Sequence, residues 1–219
     1  MVKAGAVSPS SNQHTRLSLY VDELLRWNHR LNLTSVPASS VWTRLIEESL
    51  ALSERAGVRA GDHVIDVGSG GGVPGIVVAI TQPGIEMTLL ESDTRKAGFL
   101  THVAGLLELD AVTVLDRRAE EAGHDASLRE SFDVALSRAA APPPTLCELA
   151  LPFVHIGGRL CAQVSDAASE VERCRAAAAA CGGDVPRAID SDVLCVEKVT
   201  ATPSTYPRRV GVPSRHPLR

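Results

Sequence analysis

A short apolar run that empties into glycines constrains this chain more than any other feature. It reads His63-Val64-Ile65-Asp66-Val67, then Gly68-Ser69-Gly70-Gly71-Gly72-Val73-Pro74-Gly75. Without Cβ atoms at Gly68, Gly70 and Gly72 the backbone turns tightly and comes within contact distance of a ligand, and Pro74 suits the first turn of a following helix. Two frames fit the loop. Gly70-x-Gly72-x-x-Gly75 matches a dinucleotide fingerprint, and Asp66-x-Gly68-x-Gly70-x-Gly72 matches the loop that binds S-adenosyl-L-methionine (SAM). Charge favours the second, because a carboxylate just before the glycines repels a pyrophosphate but attracts a sulfonium and an ammonium.

The rest of the chain alternates in the way such a loop requires. His14 to Leu31 places Leu17, Tyr20, Leu24, Trp27 and Leu31 at spacings of three and four, which predicts one amphipathic helix, broken at Asn32-Leu33-Thr34-Ser35. A second helix is expected from Ser39 or Ser40, either of which can cap it, to about Arg55, with Val41, Leu45 and Ile46 inward. Apolar strands follow at His63–Val67, Glu86–Leu90, Val112–Leu115, Phe132–Ser137, Gly158–Val164 and Val193–Val199, separated by helical segments including Thr94–Leu107 and Asp166–Cys181. This order implies an α/β fold with a doubly wound, mostly parallel sheet that binds ligands at the carboxyl ends of its strands. Residues 1–60 then form a helical cap, 61–200 the ligand-binding domain and 201–219 a basic tail. Glu91 ends the second strand, where an acid accepts hydrogen bonds from ribose hydroxyls. Arg118-Ala119-Glu120-Glu121 follows the third strand, where an adenine is held, and Ser137-Arg138-Ala139 follows the fourth, beside the transferable methyl.

Composition narrows the classes. With 219 residues, 44% hydrophobic and 22% charged, the chain suits an ordinary globule with no membrane-length apolar segment. Met1 to Ser11 lacks the apolar core of a leader, so a cytoplasmic protein is expected. Cys147, Cys161, Cys174, Cys181 and Cys195 never approach C-x-x-C spacing and the seven histidines form no ligand pair, so free thiols and no metal are expected. The net charge of −4 divides unevenly: +2 over residues 1–60, −11 over 61–197 and +5 over 198–219. A cationic arm on an acidic domain is a footprint for a phosphate backbone, although a solvated terminus has the same composition.

Five segments, in order, resemble one family. They are Arg26-Trp27-Asn28-x-x-x-Asn32-Leu33-Thr34-Ser35-Val36, the glycine loop, Arg118-Ala119-Glu120, Ser137-Arg138-Ala139, and Thr205-Tyr206-Pro207-Arg208-Arg209-Val210-Gly211-x-Pro213-x-x-x-Pro217-Leu218. Together they resemble the ribosomal RNA small-subunit methyltransferase G family, also called GidB. The resemblance implies a seven-stranded Rossmann-like sheet with an N-terminal helical cap. It also implies an enzyme that uses SAM to methylate N7 of one guanine in the 530 loop of 16S rRNA, with the small ribosomal subunit as partner. Matched residue to residue, it puts Gly68, Val73, Ala119, Glu120 and Arg138 in the SAM site; the glycine frame adds Gly70 and the strand order adds Glu91.

The chemistry of the residues agrees. Guanine N7 has an in-plane lone pair and no proton to lose, so methyl transfer to it needs positioning and electrostatics rather than a general base. No N-P-P-Y follows the fourth strand, and Cys147 is not the nucleophile of a Pro-Cys pair, so Arg138 is the side chain expected at the reaction centre, or else in an ion pair with a nearby acid. Many members of the family carry a histidine where this chain has Leu45 and a lysine where it has Val164. Asn28 and Asn32 either organise the end of the first helix or contact RNA. Two other readings fit the same loop: a methyltransferase for another RNA or a small molecule, and a SAM-binding regulator without catalysis.

Overall fold

The computed structural model describes residues 9–218; residues 1–8 of the expected cap and Arg219 of the expected tail lie outside the described residues. Helix α1 (Ser11–Leu31) starts at a capping box, in which the Ser10 hydroxyl accepts from the Gln13 N–H and the Gln13 side chain accepts from the Ser10 N–H. Its expected stripe turns inward, with Leu17, Tyr20 and Leu24 fully buried. Asn32, in the left-handed conformation at φ 49°, ends it, and the Asn28 amide oxygen and nitrogen bond the Thr34 N–H at 2.8 Å and carbonyl at 2.9 Å. Both asparagines therefore shape this corner.

The second helical segment departs from the single capped helix expected. A tight turn at Ala38–Ser40 leads into a wide π-type turn over Trp42–Glu47 and only then into α2 (Glu48–Ala56). Neither serine caps it: Pro37 stands at the start of the turn and makes no side-chain cap. Val41, Leu45 and Ile46 face the core as expected.

The α/β part runs β1 (His63–Val67), α3 (Gly75–Thr81), β2 (Glu86–Glu91), α4 (Thr94–Leu106), β3 (Val112–Asp116), α5 (Ala119–Ala122), β4 (Phe132–Arg138), α6 (Pro143–Ala150), β5 (Val154–Gln163), α7 (Ala167–Ala180), β6 (Arg187–Asp190), β7 (Val193–Glu197) and α8 (Val212–Arg215). The strands form one seven-stranded sheet in the order β3-β2-β1-β4-β5-β7-β6. β1 to β5 are parallel, and β7 runs antiparallel to both neighbours. Chain direction across the sheet reverses between β1 and β4, which opens a crevice at their carboxyl ends. β6 has no counterpart among the six strands read from the pattern: Arg187-Ala188-Ile189-Asp190 is an edge strand with every residue exposed, so it carries no apolar alternation.

Apolar clusters cover both faces of the sheet. One joins the α1 stripe to Val64 of β1, Ile76 and Val77 of α3, and Phe99 and Leu100 of α4; the other joins Ile65 and Leu90 to α6 and α7. The helical cap thus shares a core with the sheet, and burial of its three largest inward side chains contributes roughly 1.5–3 kcal/mol each.

Candidate functional site

Asp66 is fully buried one residue before the end of β1, and its Oδ2 accepts from the Gly75 N–H at 2.9 Å. Its other oxygen is buried without a partner, and burial pushes the carboxyl up to about 7. Asp66 therefore lies behind the glycine loop and fixes the start of α3, rather than lining the crevice where it would attract a cofactor's cations directly. Gly75 is required for that packing, since a Cβ there would lie 2.3 Å from Leu89.

The loop itself faces a cavity of about 620 Å³. Gly68 has φ +76°, and a Cβ on it would fall 2.4 Å from that of Ala140. Gly70 donates its N–H to Glu91 Oε2 at 2.8 Å, while Glu91 Oε1 accepts from Ser92 N–H at 2.7 Å and Asp93 N–H at 2.8 Å. Three backbone donors thus make Glu91 the tie between the loop and the turn before α4, and it still lines the cavity. Val73, Lys96, Arg138, Ala139 and Ala140 complete that side.

The opposite wall is the Asn32-Leu33-Thr34-Ser35-Val36 segment with Arg44 and Leu45. Tyr20, buried on α1, donates its hydroxyl to the Gly71 carbonyl at 2.7 Å, and a Cβ at Gly71 would meet Leu24 and the Leu33 carbonyl. The Asn32–Val36 part of the N-terminal motif therefore forms a wall of the cavity, a role not read from the sequence. Its only signal there is the pair of asparagines four apart at a helix end, followed by a polar turn.

Arg138 sits at the end of β4 with its side chain 14% exposed. Its Nη2 pairs with Glu48 Oε2 at 3.0 Å, and its Nη1 donates to the Arg44 carbonyl. Burial lowers its pKa against the Glu48 charge, which raises it. The ion pair left open by the sequence exists, and Arg138 lines the cavity as well.

Ala119 and Glu120 are not brought into the cavity wall with Gly68, Gly70, Val73, Glu91 and Arg138. Glu120 is buried and accepts from the Gly211 N–H at 2.9 Å and from Arg118 Nη2 at 3.1 Å. Burial pushes its carboxyl up, and those two bonds more than offset this, leaving it below the usual range. Arg118 also reaches Ser92, at the cavity's edge, at 3.2 Å, so the start of α5 flanks the cavity without entering it.

The tail corrects the expectation of a cationic arm. Of the five cations in residues 198–219, Lys198 is fully buried against Glu130 at 3.1 Å, Thr202 and the Leu151 carbonyl. Arg208 is engaged by Glu148, a fully buried carboxylate, through Nε at 2.8 Å and Nη2 at 2.6 Å, with its backbone N–H at 2.9 Å. Arg129 further fastens the tail through the carbonyls of Thr202 at 2.7 Å and Tyr206 at 2.9 Å. Arg209 and Arg215 remain exposed. The Y-P-R-R motif is first of all a clasp against α5 and α6.

Among the described residues no group of three His, Cys, Asp or Glu could hold a metal, and no helix is long and apolar enough to cross a membrane. All five cysteines are buried and form no disulfide. A hydrogen bond with Cys174, and then burial, push the Cys147 thiol well up, as for an inert core thiol.

Residues 13–190 match the family model described as rRNA small subunit methyltransferase G. A ribosomal RNA small subunit methyltransferase G from Roseiflexus castenholzii is 39% identical over 94% of this chain and 92% of its own length. The protein of the same name from Chloroflexus aggregans is 36% identical over 98% and 94%. Among solved structures, a SAM-dependent O-methyltransferase from Thermotoga maritima aligns with TM-score 0.57 at 16% identity, over 84% of this chain and 72% of that one. A precorrin-6y C5,15-methyltransferase from Geobacter metallireducens gives 0.53 at 12%, over 69% and 88%. At such identities these two structures speak for the fold alone.

Proposed function

The chain belongs to the rRNA small subunit methyltransferase G family, and from that membership and its cavity we infer that it methylates N7 of a guanine in the 530 loop of 16S rRNA. It is a SAM-dependent methyltransferase of Rossmann-like fold. The observation that carries the reading is the cavity at the switch point, where Gly68 admits no side chain, Gly70 is open, and Glu91 and Arg138 stand on opposite strands. Those residues fit the cofactor: a cradle of bare backbone on one side and fixed charges on two others.

When bound, SAM supplies an electrophilic methyl on a sulfonium. The chain's own part is placement. The glycine loop, tied to Glu91 and to Tyr20, holds one reactant rigidly; Arg138, tied to Glu48, fixes the end of β4 where the two reactants meet. Neutral N7 has no proton to remove, so a site without a general base suffices. Ala119 and Glu120 flank the adenine side through the start of α5. The partner is 16S rRNA within the small ribosomal subunit, and the location is the cytoplasm. Mapping N7-methylguanine in 16S rRNA from cells with and without this protein tests the reading: the modification should vanish from one position in the 530 loop, and its persistence would refute the assignment.

A further inference from the structure

Beside the cofactor cavity lies a second of about 530 Å³, and the two share Arg44, Arg138 and Ala139. Ala141, Pro143 and Leu146 give the second cavity an apolar side, and Glu48 and Gln163 a polar one. Glu48 Oε2 accepts from Arg138 at 3.0 Å and from Gln163 Nε2 at 2.9 Å, and Oε1 accepts from Arg44 Nε at 2.7 Å. A carboxylate only accepts, so the Gln163 amide must turn its nitrogen toward Glu48. That leaves Gln163 Oε1 buried with no donor. A carboxylate has about four lone-pair positions, so Glu48 keeps one free. An unmet buried acceptor is costly in a core, and it is tolerated where a ligand supplies the donor.

We propose that this second cavity holds the base to be methylated, and that Gln163 Oε1 and Glu48 accept from the 2-amino group and N1–H of a guanine. The inference rests on the guanine-N7 reading above. Guanine is the RNA base with two adjacent donors on that edge; adenine presents an acceptor at N1, cytosine one at N3, and uracil a single donor between carbonyls. Gripping guanine there leaves N7, on the far ring, free to face the cavity shared through Arg138. A base in such a pocket has left its stack, which is how enzymes reach base atoms in folded nucleic acid and read the exposed pairing edge.

The test is an enzyme-by-substrate cycle. Small subunits are reconstituted with rRNA carrying guanosine or inosine, which lacks the 2-amino group, at the position where wild type deposits N7-methylguanine, and single-turnover methylation is measured for wild type, Gln163→Leu and Gln163→Asn. Wild type should lose at least about tenfold on inosine, and Gln163→Leu about tenfold on guanosine with little further loss on inosine. Because each substrate ratio is taken on one protein, a fall in the folded fraction cancels, and Gln163→Asn, with its acceptor withdrawn by one methylene, should fall between the two. Equal rates on guanosine and inosine by wild type, or penalties that simply multiply, would overturn the pocket alone. Failure of wild type to methylate any guanosine in these subunits would overturn the function and the pocket with it.

Discussion

Arg208 offers the sharpest contrast between charge read from sequence and charge placed by the fold. Arg208→Ala removes both guanidinium bonds to Glu148, whose side chain has no exposed surface, and the bond from Nη2 to the His216 carbonyl at 2.8 Å. Removing one partner of a buried pair strands the other, at a cost of about 3–5 kcal/mol; with Arg208 itself 26% exposed the lower end, about 3 kcal/mol, is the expectation. For a chain of 219 residues that corresponds to a Tm lower by about 6–12 °C and a urea midpoint lower by roughly 1–1.5 M. Equilibrium urea unfolding of wild type, Arg208→Ala and Arg208→Ala/Glu148→Gln measures it. The double variant should recover part of the loss, since it no longer buries an unpaired carboxylate. RNA binding measured well below the transition should keep its salt slope in Arg208→Ala and lose about one unit in Arg209→Ala, where the side chain is exposed. A loss below about 0.5 kcal/mol together with a reduced salt slope would refute the clasp and restore Arg208 as a phosphate contact.

Gly68→Val should abolish SAM binding by calorimetry, because the side chain meets Ala140 and the backbone sits at φ +76°; unchanged affinity would misplace the cavity. Asp66, buried and pushed up to about 7, binds its proton more tightly folded than unfolded, so its contribution is fully present below its ordinary 3.8 and is lost as pH rises through about 7. Asp66→Asn, measured by urea unfolding from pH 4 to 8, should flatten that decline, which amounts to about 4 kcal/mol at most, and an unaltered pH profile would show the wrong group has been chosen. Arg138→Ala should lower single-turnover methyl transfer at least about a hundredfold, or ~2.7 kcal/mol, with lysine restoring little because one ammonium nitrogen cannot occupy both the Nη2 position at Glu48 and the Nη1 position at the Arg44 carbonyl. A destabilised but fully active Arg138→Ala would leave Arg138 only its ion pair.

The alternation of the sequence determined the parallel strands, the glycine loop and the crevice they open, because strand burial and the need for bare backbone at Gly68 both act between near neighbours in the chain. It did not show β6, whose four exposed residues gain their place only by pairing with β7. Nor did it show the partners of charges. Asp66 reads as a ligand for a cation until Gly75, nine residues on, folds back over it. Arg208 reads as a free cation until Glu148, sixty residues earlier, is buried beneath it. The Asn32–Val36 turn becomes a wall of the cavity only when α1 packs on the glycine loop, which Tyr20 holds from behind through the Gly71 carbonyl. Local periodicity fixes which residues are buried, but the sign and reach of an electrostatic interaction depend on distance and on water excluded by distant segments, and tertiary structure alone supplies both.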